Sequence, residues 1–359
     1  MGDWKYLKNI LCIRLDHMGD VLMSGPAIKA LKKHFNAKIT LLTSVKGAPV
    51  AKLMPYIDEV LTFDAPWMKA DQPANGQHIF TFAEELRKRW FDACAIFTVF
   101  SQSALPAAML AWQAGIPNRL AYSRENPYSL LTHWIPDKEP YEVVRHQVQR
   151  DLDMVREIGV VVDDTAIQIN LPTAVMHSAY QKLRLAGVDM SMPFLVMHMG
   201  VSEAKREFPL VHWKELVQYV AKRNLQMVFT GNDAEQLACR QICTGEVKNV
   251  FDLSGKLTLE EFAAVLEFST VIVTVNTCTV HLASALEKPV VVLYARTNPQ
   301  HSPWMTKNKV LEYSIAETQK SKNKVIAYID QVYYADFKAY PSPAEIFDSI
   351  MEMVITNAR

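Results

Sequence analysis

The chain has 359 residues, half of them apolar and 21% charged. This length exceeds one average domain and predicts two, of roughly 150–180 residues each, with sizeable cores. Acidic and basic side chains balance at 38 each, which argues against a dedicated nucleic-acid binder, whose affinity rests on excess positive charge.

The first segment reads strand, glycine turn, helix, strand. Asn9 to Leu15 is a short apolar run of the kind a buried parallel strand needs. Asp16-His17-Met18-Gly19-Asp20 is a turn, and Val21 to Phe35 has helical spacing, with Ala27, Ile28, Leu31 and Phe35 on one face. Strands at Lys38–Thr43 and Glu59–Phe63 follow, then a helix over Phe80–Arg89, a strand at Ala93–Phe97, a helix over Ser103–Ala114 and a short strand at Arg119–Tyr122. The stretch to Tyr141 reads as a long loop, and His146 to Ile158 as a helix. Leu171-Pro172 ends a short strand and opens a linker with its own helix, Met176–Ala186. Strands at 194–198, 226–230, 249–252, 270–275 and 290–294 then alternate with helices over 213–223, 235–242, 259–267 and 279–286. A final helix covers Ala344–Ile355. Alternating strands and helices predict an α/β protein with doubly wound parallel sheets, and two such halves in tandem suggest a ligand between them.

Five cysteines, Cys12, Cys94, Cys239, Cys243 and Cys278, are scattered and odd in number. That suits reduced thiols in a cytoplasmic protein better than a disulfide framework. Met1 to Lys8 is polar and leads into a strand, unlike a secretory leader. No apolar stretch approaches the ~18–20 residues that span a bilayer, which leaves only peripheral contact with the inner membrane surface open. Asp151-Leu152-Asp153 spells D-x-D inside a helix and reads as a solvated helix face.

Three turns could carry chemistry, each directly after a strand. In Arg14 to Asp20, glycine permits a sharp bend and Asp20 falls at the start of a helix, where it is either an N-cap or a functional acid. The turn lacks G-x-G-x-x-G and is no dinucleotide fingerprint. In His198 to Arg206, Gly200 and Ser202 offer donors and Lys205 and Arg206 positive charge for a phosphate, unless the segment is a solvated loop. In Val275 to Leu282, backbone N–H groups, two threonines and His281 make an anion site at a helix N-terminus, or a capped helix with a buried histidine.

At these residues the chain resembles the heptosyltransferases of lipopolysaccharide core synthesis, glycosyltransferase family 9. The resemblance runs through RLDHMGDVLMSGPAIKALKKHF, AGIPNRLAY, HQVQRDLDMVREIG, HMGVSEAKREFPLVHWKEL, FTGNDAEQ, LSGKLTLEEFAAVL, NTCTVHLASALEKPVVVLYARTNPQH and SPAEIFDSIMEMV, in the family's order. It implies two facing Rossmann-like domains of the GT-B type: residues 1–172 for the acceptor, 173–335 for the nucleotide sugar, and 336–359 as a helix packing back on the first domain. It implies Asp20 as catalytic base, and Gly200, Ser202, Lys205, Gly231, Glu235, Lys256, Asn276, Thr277, Cys278 and His281 as the donor site, with Glu235 at the ribose. Arg14, Asp16, His17, Arg119 and Arg296 are acceptor-side candidates. Lys46, Lys52 and Arg124, with the loops at 43–55, 65–77 and 120–141, complete that side.

Asn276 stands where many members have aspartate, Cys278 where they have glycine, Met199 for a proline, and Ala295-Arg296 for glycine–proline. Cysteine resists the positive φ that glycine accepts freely. The activity implied is inverting, metal-independent transfer of a sugar, heptose from ADP-heptose, to a hydroxyl of a glycan or lipid-linked glycan acceptor, with no cofactor and no nucleic-acid partner. A nucleotide-sugar epimerase of the same architecture and a non-catalytic sugar-binding relative are the alternatives.

Overall fold

The computed structural model describes residues 4–69, 72–243 and 247–357. Chain contacts divide it into two units, Met1–Gln168 and Ile169–Arg359, so the division falls a few residues before the expected 172/173.

The first unit runs β1 (Asn9–Arg14), α1 (Met18–Phe35), β2 (Lys38–Thr43), α2 (Ala48–Ala51), β3 (Glu59–Thr62), α3 (Gly76–Arg87), β4 (Ala93–Ile96), α4 (Leu105–Gln113), β5 (Asn118–Ser123), β6 (His133–Pro136) and α5 (Gln147–Arg156). Its strands form one parallel sheet in the order β3-β2-β1-β4-β5-β6. The central strands are buried on both faces, which is why they read as unbroken apolar runs.

The second unit runs α6 (Thr173–Leu185), β7 (Phe194–His198), α7 (Leu210–Ala221), β8 (Gln226–Thr230), α8 (Gln236–Cys243), β9 (Val250–Asp252), α9 (Leu259–Phe268), β10 (Val271–Val275), α10 (Cys278–Ala285), β11 (Val290–Ala295), β12 (Asn308–Tyr313), α11 (Lys324–Val332) and α12 (Pro343–Asn357). Its parallel sheet has the order β12-β11-β10-β7-β8-β9. Counted from its own first strand, each unit therefore has the same winding. The order reverses beside β1 and β4 in one sheet and beside β7 and β10 in the other. In open α/β sheets, ligands bind outside the carboxyl ends of strands at such a reversal.

Several expectations need correction. Helix α1 begins at Met18, three residues early: His17 is extended at the N-cap position (φ −88°, ψ 175°) and makes no side-chain cap. Asp20 thus lies inside the first turn and is not the cap. The expected loop to Tyr141 contains β6, β12 and α11 lie between the expected strand at 290–294 and the final helix, and no strand forms at Leu171-Pro172. Helix α12, expected on the first domain, packs against α7 and sinks Ile346, Ile350 and Met353 into the second unit's core with Leu216, Val217 and Tyr313. The loops at 43–55 and 120–141 are structured too, with Ala48, Val50 and Ala51 buried in α2; Ala70 and Asp71, within the expected 65–77 loop, lie outside the described residues. Among the described residues no helix is long and apolar enough to cross a membrane.

Candidate functional site

In the first unit the reversal point is built around a buried arginine. Arg14, the last residue of β1, is fully buried. Its Nη2 donates to Oδ1 of Asp20 at 3.0 Å, and its Nε lies 2.9 Å from Oδ2 of Asp16. The other oxygen of Asp16 accepts from Nε2 of Gln102, at 2.5 Å, on the segment following β4. Two strand ends thus meet in one acidic turn. Burial works against the Arg14 charge, yet the fields of Asp16, Asp20 and Asp151 raise its pKa overall. Burial also pushes the carboxyl of Asp16 upward, against the pull of Arg14.

Arg14 was expected to meet an acceptor; with no exposed surface and two carboxylates on it, it is an internal counter-ion. Asp16 is nearly as buried, His17 is exposed, and the side chain of Asp20 keeps 17% exposure. Of this turn, Asp20 combines a held carboxylate with access to solvent.

In the second unit the loop after β7 meets the loops after β8 and β10. The carboxylate of Glu235 accepts from the backbone N–H of Asn232 at 2.8 Å and from that of Val201, closing a capping box. It lies so close that a Cβ on Gly200 would fall 2.3 Å from its oxygens, and one on Gly231 2.6 Å. The two glycines therefore make room for a carboxylate as well as for a loop. Burial raises the Glu235 carboxyl, while the N–H bonds from Asn232 and Val201 oppose it.

Next to this cluster, Lys205 and Arg206 form one turn of 3₁₀ helix, both partly exposed. Nζ of Lys205 is 3.1 Å from Glu203 Oε2, and Arg206 Nη2 is 3.6 Å from the same atom. Arg206 also donates to the carbonyl of Asn276 at 3.2 Å, joining the β7 and β10 turns. The hydroxyl of Tyr313, on β12, donates to the Arg206 carbonyl at 2.8 Å and holds the turn from beneath. Ser202 is exposed at the lip of the same loop.

The β10–α10 turn carries further corrections. Asn276 is nearly buried; its amide nitrogen donates to Ala295 O (3.1 Å) and Thr297 Oγ1 (3.2 Å), and its oxygen accepts from Ala295 N–H (3.2 Å). An aspartate in this place could not donate to that carbonyl. The side chain is a clasp between strand ends, and its amide hydrogens are spent. Cys278 meets no positive φ: it is the first residue of α10, in right-handed conformation, with Thr277 extended at the N-cap. Thr277 and Cys278 are partly exposed, and His281 is buried in the helix, its ring 6.1 Å from that of His301.

The remaining candidates lie elsewhere. Arg119 donates to the carbonyls of Ile116, Leu130 and Ser129, so it braces a loop. Arg296 is 5% exposed, ion-paired with Glu312 and Asp336 and set over the Tyr334 ring. Arg124 donates to the carbonyls of Phe100 and Glu139. Lys256 is exposed and bonds the carbonyl of Asp252. Lys46 and Lys52 are exposed. Among the described residues no group of three or more His, Cys, Asp or Glu is arranged to hold a metal ion.

The D-x-D reading is overturned in half: Asp151 is 1% exposed, whereas Asp153 faces outward to Arg145 and Arg156. Asp151 shares the stripe of Val148, Leu152 and Val155, at helical spacing. That interruption of an apolar stripe was the available signal. Gln102, Ser24 and Glu203 carried none.

The sequence profile of glycosyltransferase family 9 (heptosyltransferase) matches residues 79–329. The chain is 23% identical over 313 residues to lipooligosaccharide heptosyltransferase 2 of Haemophilus influenzae, covering 82% of this chain and 85% of that one. Among solved structures it is similar to a family 9 glycosyltransferase of Veillonella parvula (TM-score 0.77, 18% identity, 99% and 98% of the two chains). It is also similar to the ADP-heptose lipopolysaccharide heptosyltransferase II of Escherichia coli (TM-score 0.73, 18% identity, 98% and 100%).

Proposed function

Because the chain belongs to glycosyltransferase family 9, the heptosyltransferases, and is a glycosyltransferase of the GT-B fold, we propose that it moves a heptosyl group from ADP-heptose to a hydroxyl of a lipopolysaccharide-core or related glycan acceptor. The observation that carries this reading is the Arg14–Asp20 pair at the reversal point of the first sheet. A carboxylate fixed by a buried cation, yet open to solvent, is equipped to take the acceptor's hydroxyl proton.

In this reading Asp20 removes that proton as the acceptor oxygen attacks the anomeric carbon from the face opposite the nucleotide, so the configuration inverts. The bond to the ADP oxygen breaks, and the charge growing there is met by Lys205, Arg206 and the N–H groups at the start of α10. Preorganised cations and dipoles of this kind stabilise a leaving group without reorganising. The carboxylate of Glu235, between Gly200 and Gly231, is placed for a ribose hydroxyl. With these groups of the chain itself the transfer proceeds without a metal ion, so a chelator leaves the rate unchanged.

The test is release of ADP from ADP-heptose by the purified chain, with and without a core oligosaccharide bearing free hydroxyls. Acceptor-dependent release is expected, with Asp20→Asn slower by about 10²–10⁴, the usual range for a general base. Near-full turnover by Asp20→Asn removes that role, and an isomerised sugar in place of transfer removes the reaction.

A further inference from the structure

Behind Asp20 lies a second acid that no step above uses. Asp151, on α5, is buried against α1. Its Oδ2 accepts from the hydroxyl of Ser24 at 2.7 Å, and its Oδ1 from Nε2 of Gln147 at 2.8 Å. Ser24 is itself buried and lies 3.2 Å from the backbone carbonyl of Asp20, one helical turn earlier. One hydroxyl thus bridges the proposed base's own peptide and a buried carboxyl. Arg14 feels Asp16, Asp20 and Asp151 together, and its Nη1 is buried without a hydrogen-bond partner among the described residues.

We infer that Asp151 is a positioning residue that sets the basicity of Asp20 through the buried guanidinium of Arg14 and the Ser24 bridge. The inference rests on the reading of Asp20 as the base. A carboxylate facing an arginine alone loses about 1–3 units of proton affinity, which would make Asp20 a poor proton acceptor. Three carboxylates sharing one cation change that balance. Each additional negative charge on Arg14 weakens its hold on Asp20 and returns basicity to it.

The remaining charges near Asp151 are committed. Arg150, its neighbour on α5, is buried, bonded to Asp137 and Glu139, and stacked over Tyr122 of β5. Arg14 from β1 also acts on Asp151, and Asp16 and Asp20 are ion-paired to Arg14 in turn. Burial pushes the Asp151 carboxyl up to about 6, outweighing Arg14, Ser24, Arg150 and Gln147. Its charge is therefore present at neutral pH and lost under mild acid. When it is ionised, the single Ser24 proton goes to Oδ2. When it is protonated, the carboxyl donates to Ser24 Oγ, and the Ser24 proton turns to the Asp20 carbonyl.

A purely structural role for Asp151, pinning α5 to α1, would leave the pH profile alone. The experiment is therefore kcat/KM for ADP release against pH, with ADP-heptose and core oligosaccharide, for the parent chain and Asp151→Asn. Removing the negative charge should move the acid limb down by about one pH unit and lower the plateau kcat about three- to tenfold through the weaker base, with the KM for ADP-heptose unchanged. A folded Asp151→Asn variant with an unmoved acid limb overturns the proposal.

A second measurement needs neither the variant nor turnover. With 13C-labelled aspartate in the parent chain, the Asp20 carboxyl carbon should titrate in two steps, the upper coinciding with that of Asp151. A single step overturns the coupling. If Asp20→Asn keeps its activity while the two-step titration is seen, the base assignment has failed and the coupling stands.

Discussion

Asn276 and Ala295 lie at the carboxyl ends of neighbouring strands and exchange two hydrogen bonds, side-chain nitrogen to carbonyl at 3.1 Å and N–H to side-chain oxygen at 3.2 Å. An aspartate at position 276 would remove the first bond and set a carboxylate oxygen against a carbonyl. Asn276→Asp should therefore destabilise the second unit by about 2–3 kcal/mol, the cost of an unsatisfied buried polar group. Urea unfolding of the full chain checks this, and an unchanged midpoint would show that the clasp is dispensable.

The space between Gly200, Gly231 and Glu235 yields a prediction about donor binding. A methyl at Gly200 would sit 2.3 Å from both carboxylate oxygens, so the carboxylate must swing away. Gly200→Ala should raise the KM for ADP-heptose about tenfold, roughly the worth of one hydrogen bond to a charged group, while kcat falls less. The variant should bind ADP with similar weakening, read by calorimetry.

Glu203 competes for the cations assigned to the diphosphate, lying 3.1 Å from Lys205 and 3.6 Å from Arg206. Glu203→Gln should lower the donor KM about two- to fivefold, in keeping with a partly exposed ion pair worth at most about 1 kcal/mol. Lys205→Ala should move it the other way and reduce kcat. If both substitutions weaken binding, Glu203 supports the donor instead of competing with it.

Stability should depend on pH through Asp151. Its carboxyl is raised to about 6 from an ordinary 3.8, chiefly by burial, so between these values the folded chain holds a proton that the unfolded chain has released. Stability from this group is then greatest below pH 4, falls as pH rises towards 6, and is level above that. The change is of the order of 3 kcal/mol, and Asp16, raised for the same reason, adds in the same direction. Thermal unfolding of Asp151→Asn should lose most of this slope. A slope equal to the parent's would assign it to other groups.

Much of this was legible in the sequence, for definite reasons. Strands at the middle of each sheet are apolar on both faces, and Phe194–His198 and Gln226–Thr230 were located to the residue. Of the four edge strands, β3 and β9 were found, and β6 and β12 were missed. His133–Pro136 alternates between partly buried and exposed residues, and Asn308–Tyr313 opens on two exposed polar residues, so neither shows an apolar run. The Arg14–Asp20 turn was visible because both partners lie within one turn. Asp151 was misread because the hydroxyl it bonds, that of Ser24, lies 127 positions earlier, and no local pattern records such a partner. The partners of Arg119 and Arg296 were equally illegible: a guanidinium bound to its own protein looks, in sequence, like one awaiting a ligand.

The two sheets wind alike, so the turn after β1 and the turn after β7 occupy the same address in their respective units. One is acidic, centred on Asp16 and Asp20; the other is basic, centred on Lys205 and Arg206. The scaffold places a short, firmly held loop at that address and is indifferent to its sign. Opposite halves of a reaction, one group accepting a proton and another receiving negative charge, can thus be written into two copies of a single plan. Altering the chemistry of either copy then requires exchanging a handful of loop residues and no change of architecture.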